Sequence, residues 1–145
     1  MQKITPFLWF HDQAQEAAKF YVSVFPGSKI LSADAQSARF LLAGQEYIAF
    51  NGGSYFSLTP AFSLTIDCVD QTEIDHLWET LSDGGEKSQC GWLIDRWGLS
   101  WQVVPTVLGK LLSDPDPVKA KRVLDAMMQM KKIVIADLEK AHEGR

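Results

Sequence analysis

Cysteine, histidine and excess basic charge are all scarce in this sequence, and each scarcity excludes something. Two cysteines in 145 residues, Cys68 and Cys90, cannot build a disulfide scaffold and fit a reduced, cytoplasmic protein. Fourteen Lys and Arg against 18 Asp and Glu give a net charge of −4, with no basic stretch interleaved with aromatics. Nucleic acid calls for a concentrated cationic footprint and is not expected as a partner. The apolar runs are too short to span a bilayer. The opening MQKITPFLWF lacks the charged n-region, apolar run and cleavage site of a signal peptide, so no membrane partner is expected. What is present is ordinary for a globular protein: 46% hydrophobic and 22% charged residues, enough to build one core. The length favours a single domain and leaves no room for a separate nucleotide-binding one.

A weak internal repeat organises the chain. Residues 4–10 and 62–68 both read as strands, and each precedes a helix start. Asp12-Gln13-Ala14-Gln15 and Asp70-Gln71-Thr72-Glu73 place an acid at the N-cap and Gln or Glu three residues on, the capping-box spacing. Ala17, Ala18, Tyr21 and Val24 share one face of the first helix; Ile74, Leu77, Trp78 and Leu81 share one face of the second. The helices stop at Pro26-Gly27 and Gly84-Gly85, so caps and stops both recur 58 residues apart. Strand-like segments follow at 29–34, 38–43 and 46–51, then at 88–94 and 99–105. Each half therefore reads βαβββ: module one at about 1–57, module two at about 58–108. Beyond Thr106, Asp116 as N-cap and Pro117 at the first helical position open one long helix, about 116–142, expected to pack on the domain or on a partner subunit.

The segments PFLWFHDQAQEAAKFYVSVFPGSKI, LAGQEYIAFNGG and QCGWLIDRWGLSWQVVPTVLGKLLSDPDPVKAKRVLDAMMQMKKI resemble the PhnB-like branch of the vicinal oxygen chelate superfamily. That superfamily includes glyoxalases, extradiol dioxygenases and bleomycin-resistance proteins, and this branch often carries the label 3-demethylubiquinone-9 3-methyltransferase. The resemblance spans nearly the whole chain. It implies an α+β fold in which two βαβββ modules curve mixed sheets around a cavity, with a homodimer closing part of it.

Superfamily enzymes hold a divalent metal from the first and last strands of each module. By resemblance those positions fall near Thr5, Ile48, Ala61 and Gln102, and Gln102 alone has ligand chemistry. The histidines do not repair the set: His11 precedes a cap, His76 is mid-helix and solvent-facing, and His142 sits in a fraying tail. No metal and no other cofactor is expected. A glycine-rich strand–turn–helix for a nucleotide-like cofactor is also missing. Strand alternation pairs Leu8 with Ile66 toward the helices and turns the next residues toward the cavity. The cavity wall is then Thr5, Phe7, Trp9, Ile48, Phe50, Ser63, Thr65, Gln102 and Val104, capped by Trp92. Such a wall suits a small apolar or aromatic ligand held by few hydrogen bonds, although side chains of this kind also form ordinary core. Asp95, beside Arg96, reads as an exposed turn pair or as a base at the cavity mouth. Three functions follow: a metal-free small-molecule binder, a glyoxalase-type, dioxygenase-type or methyltransferase enzyme, and an assembly subunit built on the C-terminal helix.

Overall fold

The alternation of apolar and polar residues in the N-terminal strand sets the first layer. A computed structural model of the chain describes residues 2–145. The chain divides into two units, Met1–Thr59 and Pro60–Arg145. In the first, the elements run β1 (Phe7–Phe10), α1 (Ala14–Val24), β2 (Lys29–Ala33), β3 (Ser37–Leu42) and β4 (Gln45–Asn51). The strand order is β1-β4-β3-β2, with β1 parallel to β4 and the other pairs antiparallel. Leu8 and Phe10 of β1, Ala38, Phe40 and Leu42 of β3 and Ala49 of β4 are buried, and so are Ala14, Ala17, Ala18 and Tyr21 of α1. Three alanines on one helical face let α1 approach the sheet closely.

The second unit repeats the plan: β5 (Ser63–Cys68), α2 (Gln71–Ser82), β6 (Glu86–Lys87), β7 (Trp92–Ile94) and β8 (Ser100–Pro105). Its order is β5-β8-β7-β6, again with the outer pair β5–β8 parallel. The two βαβββ sheets expected from the 58-residue spacing are therefore present with identical topology. Ile74, Leu77, Trp78 and Leu81 of α2 and Leu93, Trp101 and Val103 of the sheet are buried.

The two helix starts differ. At α2 the capping box is complete: Asp70 Oδ1 accepts from the Glu73 N–H at 2.9 Å, and Glu73 Oε1 accepts from the Val69 N–H at 2.8 Å. At α1 the expected Asp12 cap is replaced. Gln13 occupies the N-cap without a side-chain bond, and Asn51, at the end of β4, accepts from the Ala14 N–H at 2.8 Å. A tertiary partner does there what a local one does in the second unit.

The single long helix expected at about 116–142 is corrected to two shorter ones, α4 (Pro117–Met128) and α5 (Ile135–Glu143), and a further short helix, α3 (Thr106–Leu112), precedes them. Asp116 does cap α4, accepting from the Val118 N–H at 2.9 Å, with Pro117 in the first turn. The helix ends because residues 130–135 find other partners. Cys90 and Gly91 donate their N–H groups to the carbonyls of Met130 and Lys131 at 2.8 Å. Gln71 donates to the Ile133 carbonyl at 2.9 Å and accepts from the Ile135 N–H at 2.8 Å. Ile133 is thereby fully buried with Leu108, Val123 and Leu138. No helix among the described residues is long and apolar enough to cross a membrane.

Candidate functional site

The face of the first sheet opposite α1 is built by the strand positions that alternate with the buried ones. Parallel pairing sets Phe7 beside Ile48 and Trp9 beside Phe50; antiparallel pairing sets Arg39 beside Ile48 and Ser37 beside Phe50. The rings of Phe7 and Phe50 lie 5.3 Å apart, and Trp9 meets Phe50 edge-on at 5.5 Å. Phe7 is 56% exposed, a high value for a phenylalanine in a strand. Four of the sequence-selected residues, Phe7, Trp9, Ile48 and Phe50, thus share one surface. Thr5 precedes β1 and is half-buried.

The loop after β4 extends this surface. Trp9 Nε1 donates to the Gly53 carbonyl at 3.0 Å, and the Trp9 ring packs edge-on against Phe56 at 5.1 Å. Phe56 in turn meets Tyr55 at 4.8 Å. A Cβ on Gly52 would lie 2.1 Å from the Trp9 ring, so glycine is what permits the indole to lie across the loop backbone. Phe56 and Tyr55, absent from the sequence-based set, were signalled only by two adjacent aromatics in a polar loop. His11 contacts Ser57 Oγ at 3.2 Å and so helps tie the same loop to the end of β1.

The corresponding face of the second sheet is smaller and more polar. Gln102 Nε2 donates to Ser63 Oγ at 3.0 Å, while the register sets Thr65 and Trp92 to either side of Gln102. Thr65 is exposed, and Gln102, Ser63 and Trp92 are half-buried. Val104 packs against the cluster of the C-terminal helices.

Asp95 is corrected on both counts. It is 3% exposed, and its carboxylate is consumed inside the fold. Oδ1 accepts from the N–H groups of Trp97 and Leu99 at 2.9 and 3.0 Å, and Oδ2 accepts from Trp101 Nε1 at 2.9 Å. It organises the turn into β8 and is neither an exposed turn residue nor a base. Arg96 turns the other way, to Asp83 at 3.5 Å and over the Trp97 ring. His142 is not in a frayed tail either: its Nε2 lies 2.7 Å from Asp114 Oδ2, within α5. Burial, followed by the nearby carboxylates Glu73, Asp67 and Asp70, pushes the Cys68 thiol up to about 12, which rules it out as a nucleophile.

The positions where the superfamily places metal ligands do not form a donor set. The side chains of Ile48 and Ala61 have no donor atoms, and the Gln102 amide, whose nitrogen donates to Ser63, offers a single oxygen. Among the described residues no group of three or more His, Cys, Asp or Glu is arranged to hold a metal ion. The residues present do not fit such an ion.

Two βαβββ sheets of identical topology, each with a parallel outer pair, give the chain the fold of glyoxalase-related proteins. The chain belongs to the 3-demethylubiquinone-9 3-methyltransferase family, whose model matches residues 2–104, and to its PhnB-like branch. A PhnB protein from Bacillus cereus, a candidate 3-demethylubiquinone-9 3-methyltransferase, is 33% identical, with 72% of this chain covering 100% of that one at a TM-score of 0.67. A protein from Pseudomonas aeruginosa shares the fold at 20% identity, with coverage of 72% and 98% and a TM-score of 0.60. A glyoxalase-related enzyme from Fulvimarina pelagi shares it at 12% identity, with coverage of 74% and 91% and a TM-score of 0.52. No curated protein matches the chain.

Proposed function

We propose that this chain binds a small apolar or aromatic molecule, without a metal, on the face of its first sheet opposite α1. The observation that supports this most is the contiguous set Phe7, Trp9, Phe50 and Phe56, with Phe7 and Phe56 more than half exposed on a surface whose indole is held in place by the loop. Exposed rings cost solvation and are kept where they meet a ligand or a partner. Stacking and edge contacts on such rings give an aromatic ligand orientation without charge. The second unit's Gln102–Ser63 pair, with Thr65 and Trp92 beside it, is a separate candidate for polar contacts. A cytoplasmic homodimer is part of the same reading, following the family resemblance, and sedimentation of the purified chain tests the dimer.

The test is calorimetric titration with a panel of neutral aromatic and quinone-like compounds against the wild-type chain, Trp9→Ala and Gln102→Ala. Saturable binding by the wild type, weakened about tenfold or more in Trp9→Ala as expected for loss of a stacked aromatic, supports the reading. Binding that is indifferent to Trp9 contradicts it. Methyl transfer, which the family's description names, is the second reading; turnover of a quinone-like acceptor with a methyl donor in the same assay would favour it.

A further inference from the structure

The face of the first sheet opposite α1 does not end at its aromatic rows. Arg39 of β3 sits directly opposite Ile48, which is itself opposite Phe7, so Phe7, Ile48 and Arg39 form one row across three strands. At the strand spacing this row spans about 10 Å. Beyond it, on the same face, lie Leu41 and Glu46, which pair with each other in the register. Arg39, Leu41 and Glu46, with Gln2, Leu31 and Gly44, line an open groove of about 480 Å³. Arg39 is the cation of this groove. Its Nη1 meets one oxygen of Glu46 at 3.2 Å, and its side chain remains 45% exposed. A guanidinium carries five donors, and this contact uses one edge of the fork.

From this arrangement we infer that the ligand is an aromatic monocarboxylate, its ring on the Phe7–Ile48–Phe50 surface and its carboxylate on the free edge of Arg39. The inference rests on the binding function proposed above and specifies its ligand class. Three points carry it. Arg39 is on the aromatic face, separated from Phe7 by a single strand, so a ring on Phe7 and Ile48 brings a ring substituent toward the guanidinium. The groove beside it is lined by Leu31 and Leu41, which offer the edge of an apolar ring a surface next to the charge. Glu46 is the lesser-exposed partner, at 19%, and already spends one oxygen on Arg39, so it holds the guanidinium's near edge and leaves the far edge toward solvent. A planar fork meeting a planar carboxylate offers two parallel N–H···O bonds, which a neutral isostere cannot reproduce.

The test compares 2-naphthoate with 2-naphthamide, which has the same ring and shape without the charge, by calorimetry on the full chain. The wild type is expected to bind the carboxylate at least tenfold more tightly, with a preference that shrinks as salt is raised. Arg39→Gln should abolish that preference by weakening naphthoate binding at least tenfold. Glu46→Gln, which removes the competing anion, should strengthen naphthoate binding. The pair lies at the surface, so both variants are expected to fold, and unchanged melting curves check this. Equal affinities for the two compounds in the wild type, or a carboxylate preference that survives in Arg39→Gln, would overturn the inference while leaving aromatic binding standing. Failure of both compounds to bind would overturn it together with the function it rests on.

Discussion

Gly52 and the two cysteines show how much single positions decide. Because a Cβ at Gly52 would fall inside the Trp9 ring, Gly52→Ala must displace either the indole or the loop. We expect a loss of about 1–3 kcal/mol from overpacking, together with weakened aromatic binding, read by denaturant unfolding and calorimetry on the same sample. Cys68 is buried, with its thiol held near 12, whereas Cys90 is partly exposed at the turn before β7. A thiol reagent at pH 8 should therefore label one cysteine per native chain, and the second only after unfolding. Labelling of both at equal rates would contradict the burial of Cys68. Asp95 teaches the opposite lesson about legibility: from its neighbours Arg96 and Trp97 it looked exposed. What internalises it is Trp101, six residues on, whose indole N–H needs a buried acceptor. That requirement exists only once β8 is folded against the turn.

Among the elements, the helices of the two modules were legible because their signals are local. Glycine stops and 3.6-residue periodicity act within about ten residues, and so does the α2 cap, whereas the α1 cap comes from Asn51. The C-terminal region was not, because its break has no glycine or proline. The segment leaves the helix when Gln71 and the Cys90–Gly91 turn take over its backbone groups. Gln71 lies about sixty residues away in sequence, outside any local window. Gln71→Ala should cost about 1–3 kcal/mol, the range for stranding buried hydrogen-bonding groups, and should loosen α5 first, as amide exchange at Ile135–Glu143 would register. Three carboxylates, in both units, contribute to acid sensitivity. Asp114 is held below the ordinary carboxylate range by the Asp116 N–H and then by His142. Asp75 is lowered by the Gln71 amide and Lys132, and Asp34 by the N–H groups of Gln36 and Ser37. A carboxylate depressed in the folded state stabilises above its unfolded value, about 3.9, and that stabilisation disappears as pH falls through the folded value. Melting temperature should hold between pH 7 and 5 and fall below about pH 4, with a shallower fall in Asp114→Asn. A melting temperature that rises on acidification would contradict these three assignments.

At the scale of the molecule, duplication was the most readable feature. Two sheets with the same strand order and the same parallel outer pair match a 58-residue spacing visible in caps and stops alone. That Phe7, Trp9, Ile48 and Phe50 share one face of the first sheet was readable too, since period-two alternation fixes which side they take. Its extension by Phe56, Tyr55 and Arg39 was not, because loop packing and cross-strand register are set by tertiary contacts. The family match ends at residue 104, so α3, α4 and α5 lie beyond it, and their packing through Leu108, Val123, Ile133 and Leu138 is argued from this chain.

The central claim is that the first sheet's aromatic face binds the ligand, and nuclear magnetic resonance tests it most directly. Titrating 2-naphthoate into isotopically labelled protein should shift the Trp9 indole N–H and the backbone amides of Phe7–Phe10 and Gln45–Asn51. Shifts confined to other elements, or none at saturating compound, would contradict the account.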